Sequence, residues 1–217
     1  MFFHKHPYAP FIPENATKLI VGTLPPPRFT TGELLEKDVD FCYGSCHNSL
    51  WMYIDKIHNL NLRYDNSVEA IEERKQFLIE HQIGICDIVE SAERAKIDAS
   101  DLGMKNIVLR DVIGYLKRFP KIKALIFTGG NSKNGPEYFF RKHLKEYGLK
   151  LVIVSNEVPR IHQFNFGNRI IKTVSLTSGS GAANISIGSM PLYKQLKAKN
   201  PDFNTFDFRV LQYKEFI

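Results

Sequence analysis

Two short segments, far apart in the chain, carry residue types that suit a single binding site. The first is Gly22-Thr23-Leu24-Pro25-Pro26-Pro27, followed by Tyr43-Gly44-Ser45-Cys46-His47-Asn48-Ser49-Leu50-Trp51. The second is Leu176-Thr177-Ser178-Gly179-Ser180-Gly181-Ala182-Ala183-Asn184. Tyr43 offers a flat face to a planar heterocycle, a contact worth roughly 1–3 kcal/mol when the partner is a nucleobase. Asn48 holds a donor and an acceptor in one amide and can read a carbonyl and a ring N–H together. Backbone N–H groups near Gly22 and Thr23, with that amide, can stabilise negative charge as it develops on a leaving group. Leu24 and Pro25 would line the same pocket. The small residues Ser178, Gly179, Ser180 and Gly181 let backbone come close to phosphate groups. Each residue also has a plainer role open to it: Asn48 as a helix N-cap, Tyr43 as core, the late segment as a turn.

Such residues need elements that hold them, and each segment lies just past an apolar run. Leu19-Ile20-Val21, Ala124-Leu125-Ile126-Phe127, Leu151-Val152-Ile153-Val154 and Ile170 to Leu176 read as buried strands. Ile83 to Val89, with Asp87, reads as a mixed strand or turn, and 90–106 as a polar excursion. Helical spacing is found from Asn48 to Ile57, over a stretch capped by Ser67 and ended by Gly84, and from Leu109 to Leu116 before Pro120. It returns from Pro136 to about Tyr147, and from Met190 to Lys199. Pro25, Pro26 and Pro27 force a rigid loop. The aromatic tail, Phe203 to Ile217, can return to the core as a strand. Strands alternating with helices predict an α/β fold: a three-layer α/β/α sandwich around a central, mainly parallel four-stranded sheet. A ligand would then sit at the carboxyl ends of the strands. No repeat, linker or low-complexity tract divides the chain. It reads as one domain over 1–217, with the proline- and aromatic-rich residues 1–16 as an ordered N-terminal arm.

The 217 residues are 43% hydrophobic and 24% charged, as in ordinary globular proteins. The net charge of +6 suits a solvated lysine-rich surface about as well as a nucleic-acid partner. Cys42, Cys46 and Cys86 form no disulfide framework and point to a reducing compartment. Cys42, Cys46 and His47 lack the second Cys/His cluster that a closed metal site needs, so no metal is expected. No apolar stretch is long enough to span a membrane, and Met1 to Pro7 lacks a signal-peptide core, so a cytoplasmic protein without a membrane partner is expected. Gly179-Ser180-Gly181 lacks the third glycine of a dinucleotide fingerprint, and no Walker lysine follows any glycine loop. Ser178 and Ser180 are not in a Gly-x-Ser-x-Gly elbow.

The ordered combination of these segments resembles the uracil-DNA glycosylase superfamily, and within it the branch of mismatch-specific and hypoxanthine-type enzymes. Gly22 to Pro25 resembles that family's first loop; Tyr43-Gly44, Asn48 and Trp51 its aromatic segment; Ser178 to Asn184 its late loop. Gly84 to Val89, Glu93-Arg94 and Asp98 to Asp101 resemble its central region, and Ile122 to Gly130 the next strand and glycine turn. Two departures stand out. Leu24 occupies the place where mismatch-specific enzymes carry a water-positioning asparagine, whereas Asn48 matches the asparagine of the hypoxanthine-type branch. Thr177 and Gly181 stand where the late loop has prolines. The resemblance implies a DNA glycosylase without metal or cofactor that acts on a deaminated base, uracil or hypoxanthine, as a monomer. It makes Asn48, Gly22 and Thr23 the catalytic residues, and Tyr43, Leu24, Pro25 and Asn48 the base-binding ones. Ser178, Gly179, Ser180, Gly181, Asn184 and Ile185 become the DNA contacts, with Asn184 or Ile185 able to fill the gap left by an extruded base. Asp87 fits a loop-ordering role better than that of a general base. Arg94 can pair with Asp87, Asp98 or a phosphate, and His162 reads as a solvated loop histidine. The alternative is a relative that binds DNA or a nucleobase without cleaving.

Overall fold

The computed structural model describes residues 1–98 and 100–217, so Ala99, inside the central region singled out above, lies outside the described residues. The chain opens with β1 (Phe2–Lys5) and β2 (Lys18–Gly22), then α1 (Pro27–Thr31), α2 (Leu50–His58) and α3 (Val68–Glu80). Next come β3 (Ile83–Asp87), β4 (Val89–Arg94), a single 3₁₀ turn (Asp101–Gly103), β5 (Met104–Leu109), α4 (Val112–Arg118), β6 (Ala124–Phe127) and α5 (Pro136–Glu146). The last part holds β7 (Val152–Ser155), β8 (Arg160–Phe166), β9 (Arg169–Ser175), a 3₁₀ turn (Gly181–Ala183), α6 (Asn184–Ser189), α7 (Pro191–Lys199) and α8 (Thr205–Lys214).

The main sheet has six strands in the order β3-β2-β6-β9-β8-β7. The first four are mutually parallel, with Gly22 opposite Asp87 and Phe127 opposite both Val21 and Ser175. Alternation along the strands splits the core into two layers. Leu19, Val21, Leu125 and Phe127 face α4 and α5, while Ile20, Ile85, Ile126 and Val174 face α2, α3 and α8. The α/β class and helical layers on both faces are therefore present.

The expected four-stranded sheet is too small and too uniformly parallel. β8 runs antiparallel to β9, and β7 antiparallel to β8. The pair β8–β9 is a hairpin whose turn, Gly167-Asn168, uses the left-handed region at Gly167 (φ +60°), a short-range hairpin signal in the sequence. β7 is consequently an edge rather than a buried strand: Val152, Ile153 and Val154 are each more than half exposed. A four-residue apolar run does not distinguish the two positions.

Three other expectations need correction. Residues 90–106 include parts of two ordered strands, since β1, β4 and β5 form a separate three-stranded antiparallel sheet in the order β1-β4-β5. The tail from Thr205 is helix, not strand, and starts with a capping box between Asn204 and Asp207. Gly84 does not end α3; the chain turns at Gln82 (φ +57°), and Gly84 lies in β3, where a Cβ would crowd Leu19 and Ile12. Ser67 caps α3 as expected, accepting from the Ala70 N–H at 3.2 Å. No helix among the described residues is long and apolar enough to cross a membrane.

Candidate functional site

The carboxyl ends of all four parallel strands open onto one cleft of about 240 Å³. Thr23 follows β2, Asp87 ends β3, Thr128 follows β6, and Ser178 lies just past β9; all four line the cleft. The strand after β2 joins on one side of it and β6 on the other, so the cleft sits where the strand order reverses, the usual ligand position in open α/β sheets. Leu24, Pro25, Tyr43, Asn48, Ser178, Gly179 and Ser180 come together here. Gly22, Gly181, Asn184 and Ile185 do not line it.

Pro25 and Pro26 hold the first loop extended, and Pro27 starts α1 at the position where proline is tolerated. Arg28 on α1 then reaches the next loop. It grips Asp38 through two bonds of 2.7 and 2.8 Å and donates to Ser45 Oγ at 2.8 Å. Asp38 also accepts from the backbone N–H of Leu35 and Cys46 at 2.9 and 2.8 Å. Burial acts against its charge, but the Arg28 guanidinium and these N–H groups outweigh it and hold the carboxyl well below the usual carboxylate range. The Gly44–Asn48 turn thereby hangs from a buried ion pair.

Within that turn Tyr43 adopts φ +59°, rare for a bulky side chain. Its ring is buried, and its hydroxyl donates to the Cys86 carbonyl at 3.0 Å. Asn48 is half-buried, and its Oδ1 accepts from the Leu50 N–H at 2.9 Å; it is not the N-cap of α2, which is Ser49, but braces the turn that leads into the helix. Its Nδ2 group has no protein partner among the described residues and can donate into the cleft. One amide thus braces the helix start through its oxygen and can donate toward the cleft through its nitrogen. Trp51, by contrast, is core: its indole N–H donates to the Cys42 carbonyl at 2.9 Å beneath the turn.

Asp87 is tied to the N-terminal arm. His6 Nε2 lies 2.8 Å from Asp87 Oδ2, and both residues are buried, which supports a loop-ordering role. Arg94 pairs with Asp98 at 3.7 Å, of its three candidate partners, and also donates to His4 Nδ1 at 2.8 Å and to the Ser100 carbonyl at 2.6 Å. Burial, with Arg94 and His6 nearby, pushes His4 down to about 4 and keeps its ring neutral as an acceptor. His162 is not a solvated loop residue; it is buried on β8, 2.9 Å from Arg141.

The late loop is carried by α8, which sequence reasoning misplaced. Arg209 donates from Nε to the Ser178 carbonyl (2.8 Å), from Nη2 to the Ser180 carbonyl (3.0 Å) and from Nη1 to Asn184 Oδ1 (2.8 Å). Tyr213 and Gln212 bond the backbone of Thr177. The loop that lacks prolines is therefore stiffened from outside. Asn184 spends its oxygen on Arg209, while Ile185 is 85% exposed. Replacing Arg209 by Ala should cost about 2–3 kcal/mol of stability, because three charge-assisted bonds from a buried guanidinium to the late loop and Asn184 are lost together. Denaturant unfolding measures this. Arg209→Lys should recover only part, since one ammonium cannot reproduce the fork.

Reading the sequence also missed Asp101, which lines the cleft from the turn before β5. Asn134, at φ +62°, donates to the Asp101 carbonyl at 2.8 Å and fixes the turn. Burial pushes the Asp101 carboxyl up to about 6, helped by the nearby Asp87; Arg94 and the Thr23 side chain pull the other way. The three cysteines are free thiols, and the described residues hold no cluster of His, Cys, Asp and Glu suited to a metal ion.

No protein-family model matches this chain, and no curated protein matches it. What the cleft can do follows from its own groups. Its lining combines an amide donor, an aromatic ring, the carboxyl groups of Asp87 and Asp101 and a small-residue loop held by Arg209.

Proposed function

We propose that the protein is a monofunctional DNA glycosylase, which hydrolyses the N-glycosidic bond of a deaminated base, uracil or hypoxanthine. The observation that carries the reading is convergence: the first loop, the Tyr43–Asn48 turn and the late loop, dispersed over more than half the chain, surround one cleft at the strand ends.

The chemistry runs as follows. A base in duplex DNA must leave the stack before its glycosidic bond can be reached. Ser178 to Ser180 meet the phosphates through backbone and small side chains, and the exposed Ile185 enters the space the base leaves. The base enters the cleft against Tyr43 and Leu24. As the bond breaks, electrons move onto the base and positive charge onto the sugar. The Asn48 Nδ2 group donates to the base oxygen that gains this charge, with Thr23 beside it, while Asp87 and Asp101 face the sugar side. The Asn48 oxygen, which accepts from the Leu50 N–H, belongs to an amide and is too weak a base to take a proton from the attacking water.

The test is release of base from labelled oligonucleotides that carry one uracil, hypoxanthine or xanthine, single- and double-stranded, with alkali to cleave the abasic product. Cleavage at the modified position is the expected result. A folded protein that binds DNA in a salt-dependent way yet releases no base from any substrate overturns the reading in favour of a binding module.

A further inference from the structure

An amide is not a base, so with Asn48 alone the hydrolysis proposed above still lacks a group that accepts a proton from water. A second cavity supplies the location. Beside the base cleft runs a groove of about 540 Å³ lined by Lys133, Arg160, Ser186 and the backbone of the late loop. Its two cations and small residues suit a phosphodiester strand. A nucleotide with its base in the cleft and its phosphates in the groove has its sugar at the boundary between the two. Three residues line both cavities: Asp101, Ser178 and Ser180. Of these only Asp101 carries a titratable side chain.

We propose that Asp101 is the general base of this site, holding the attacking water at the sugar C1′ where cleft and groove meet. The inference rests on the glycosylase reading. In the step itself the Asp101 carboxylate takes a proton from water as the water oxygen bonds to C1′. The C1′–N bond breaks and its electron pair leaves with the base, held as an anion by the Asn48 amide. The proton on Asp101 then passes to the base or to solvent, which gives neutral base and an abasic sugar and restores the carboxylate.

The other carboxylate of the cleft is not equivalent. Asp87 is held by His6 at 2.8 Å, and His6 belongs to the arm rather than to the groove. For Asp101 the nearby groups are Thr23 from the first loop, Arg94 from β4 and Asp87, and Lys133 lines the same groove. A carboxyl raised to about 6 is ionised at neutral pH yet still basic enough to take a proton, the compromise that suits a general base.

The experiment is single-turnover base release by the wild-type protein and Asp101→Asn between pH 5 and 8, with substrate affinity and thermal unfolding measured alongside. Asparagine keeps the shape and removes a half-buried charge, so the variant should fold and bind the oligonucleotide at least as tightly. Its rate should fall by a factor on the order of 10²–10⁴. The wild-type rate should drop on the acid side as the carboxyl protonates, and that limb should be missing from the variant. Asp101→Glu should restore part of the rate with an acid limb. A folded Asp101→Asn protein within about threefold of wild type, or one that is slower but keeps the same acid limb, overturns the assignment and leaves the glycosylase reading standing. A wild-type protein that releases no base overturns both.

Discussion

Asn48→Ala should cut base release by a factor on the order of 10²–10³, the loss typical when one preorganised donor to a developing anion is removed. The same change should cost only about 1 kcal/mol of stability, the worth of one hydrogen bond, because Oδ1 accepts from the Leu50 N–H at the start of α2. The two roles sit on different atoms of one side chain, and a second substitution separates them. Asn48→Asp keeps an acceptor for Leu50 but replaces the Nδ2 donor by a negatively charged oxygen. Its melting temperature should stay near wild type, while base release falls at least as far as in Asn48→Ala, since the carboxylate repels the leaving base. Single-turnover release and thermal unfolding, measured on the same samples, read the two effects apart. Release near the wild-type rate in folded Asn48→Asp would remove Asn48 from the chemistry and leave it as a brace of the helix start.

That double duty shows how the sequence could be read and where it stopped. Residue type alone allows Asn48 as a cap or as a reader of a base; the structure makes Ser49 the N-cap, puts the Asn48 oxygen on the Leu50 N–H and brings the side chain to the cleft. β2 and β6 were legible because they are continuous apolar runs closed by glycine or polar turns, whereas β3 mixes glycine, cysteine and aspartate with its isoleucines and read only as a mixed strand or turn; the loops after them lead to one cleft. β7 was misjudged because Val152 to Val154 have the same run of apolar types as a buried strand; only the neighbouring hairpin makes them an edge. α8 was misjudged because its aromatic residues, Phe206, Phe208 and Tyr213, suit a strand by type, although Asn204 and Asp207 mark a helix start. The supports of the site were less legible still. His6 meets Asp87, and Arg209 meets Ser178, across 81 and 31 residues of sequence, and no local pattern encodes such pairings. Asp101 looked like one charge in a polar stretch, and only the turn fixed by Asn134 brings it into the cleft.

A large effect on stability and on base release together should come from a single methyl group at Gly22. This residue does not line the cleft, yet it fixes the spacing of what does. A Cβ there would run into Tyr43 Oη and Asp87 Oδ1, and would stand 2.8 Å from Tyr43 Cζ. Neither neighbour can step aside freely. Tyr43 is anchored to the Cys86 carbonyl at 3.0 Å, and Asp87 to His6 at 2.8 Å, and both are buried. Gly22→Ala must therefore push the tyrosine toward the cleft or break the buried carboxylate–histidine contact. Overpacking of this kind costs about 2–3 kcal/mol, a fall in melting temperature on the order of 5–10 °C for a chain of this size. Base release should fall with it, as the displaced ring takes the space of the base. A second change tests the cause. Tyr43→Phe alone should destabilise the protein, because it gives up the bond to Cys86. In the Gly22→Ala background it should destabilise less, because it also removes the oxygen that the new methyl meets. The two substitutions should thus be coupled by about 1 kcal/mol in a double-mutant cycle followed by denaturant unfolding. Simple additivity would show that the methyl is accommodated on the Asp87 side, and the loss would then be traced through His6 and the N-terminal arm.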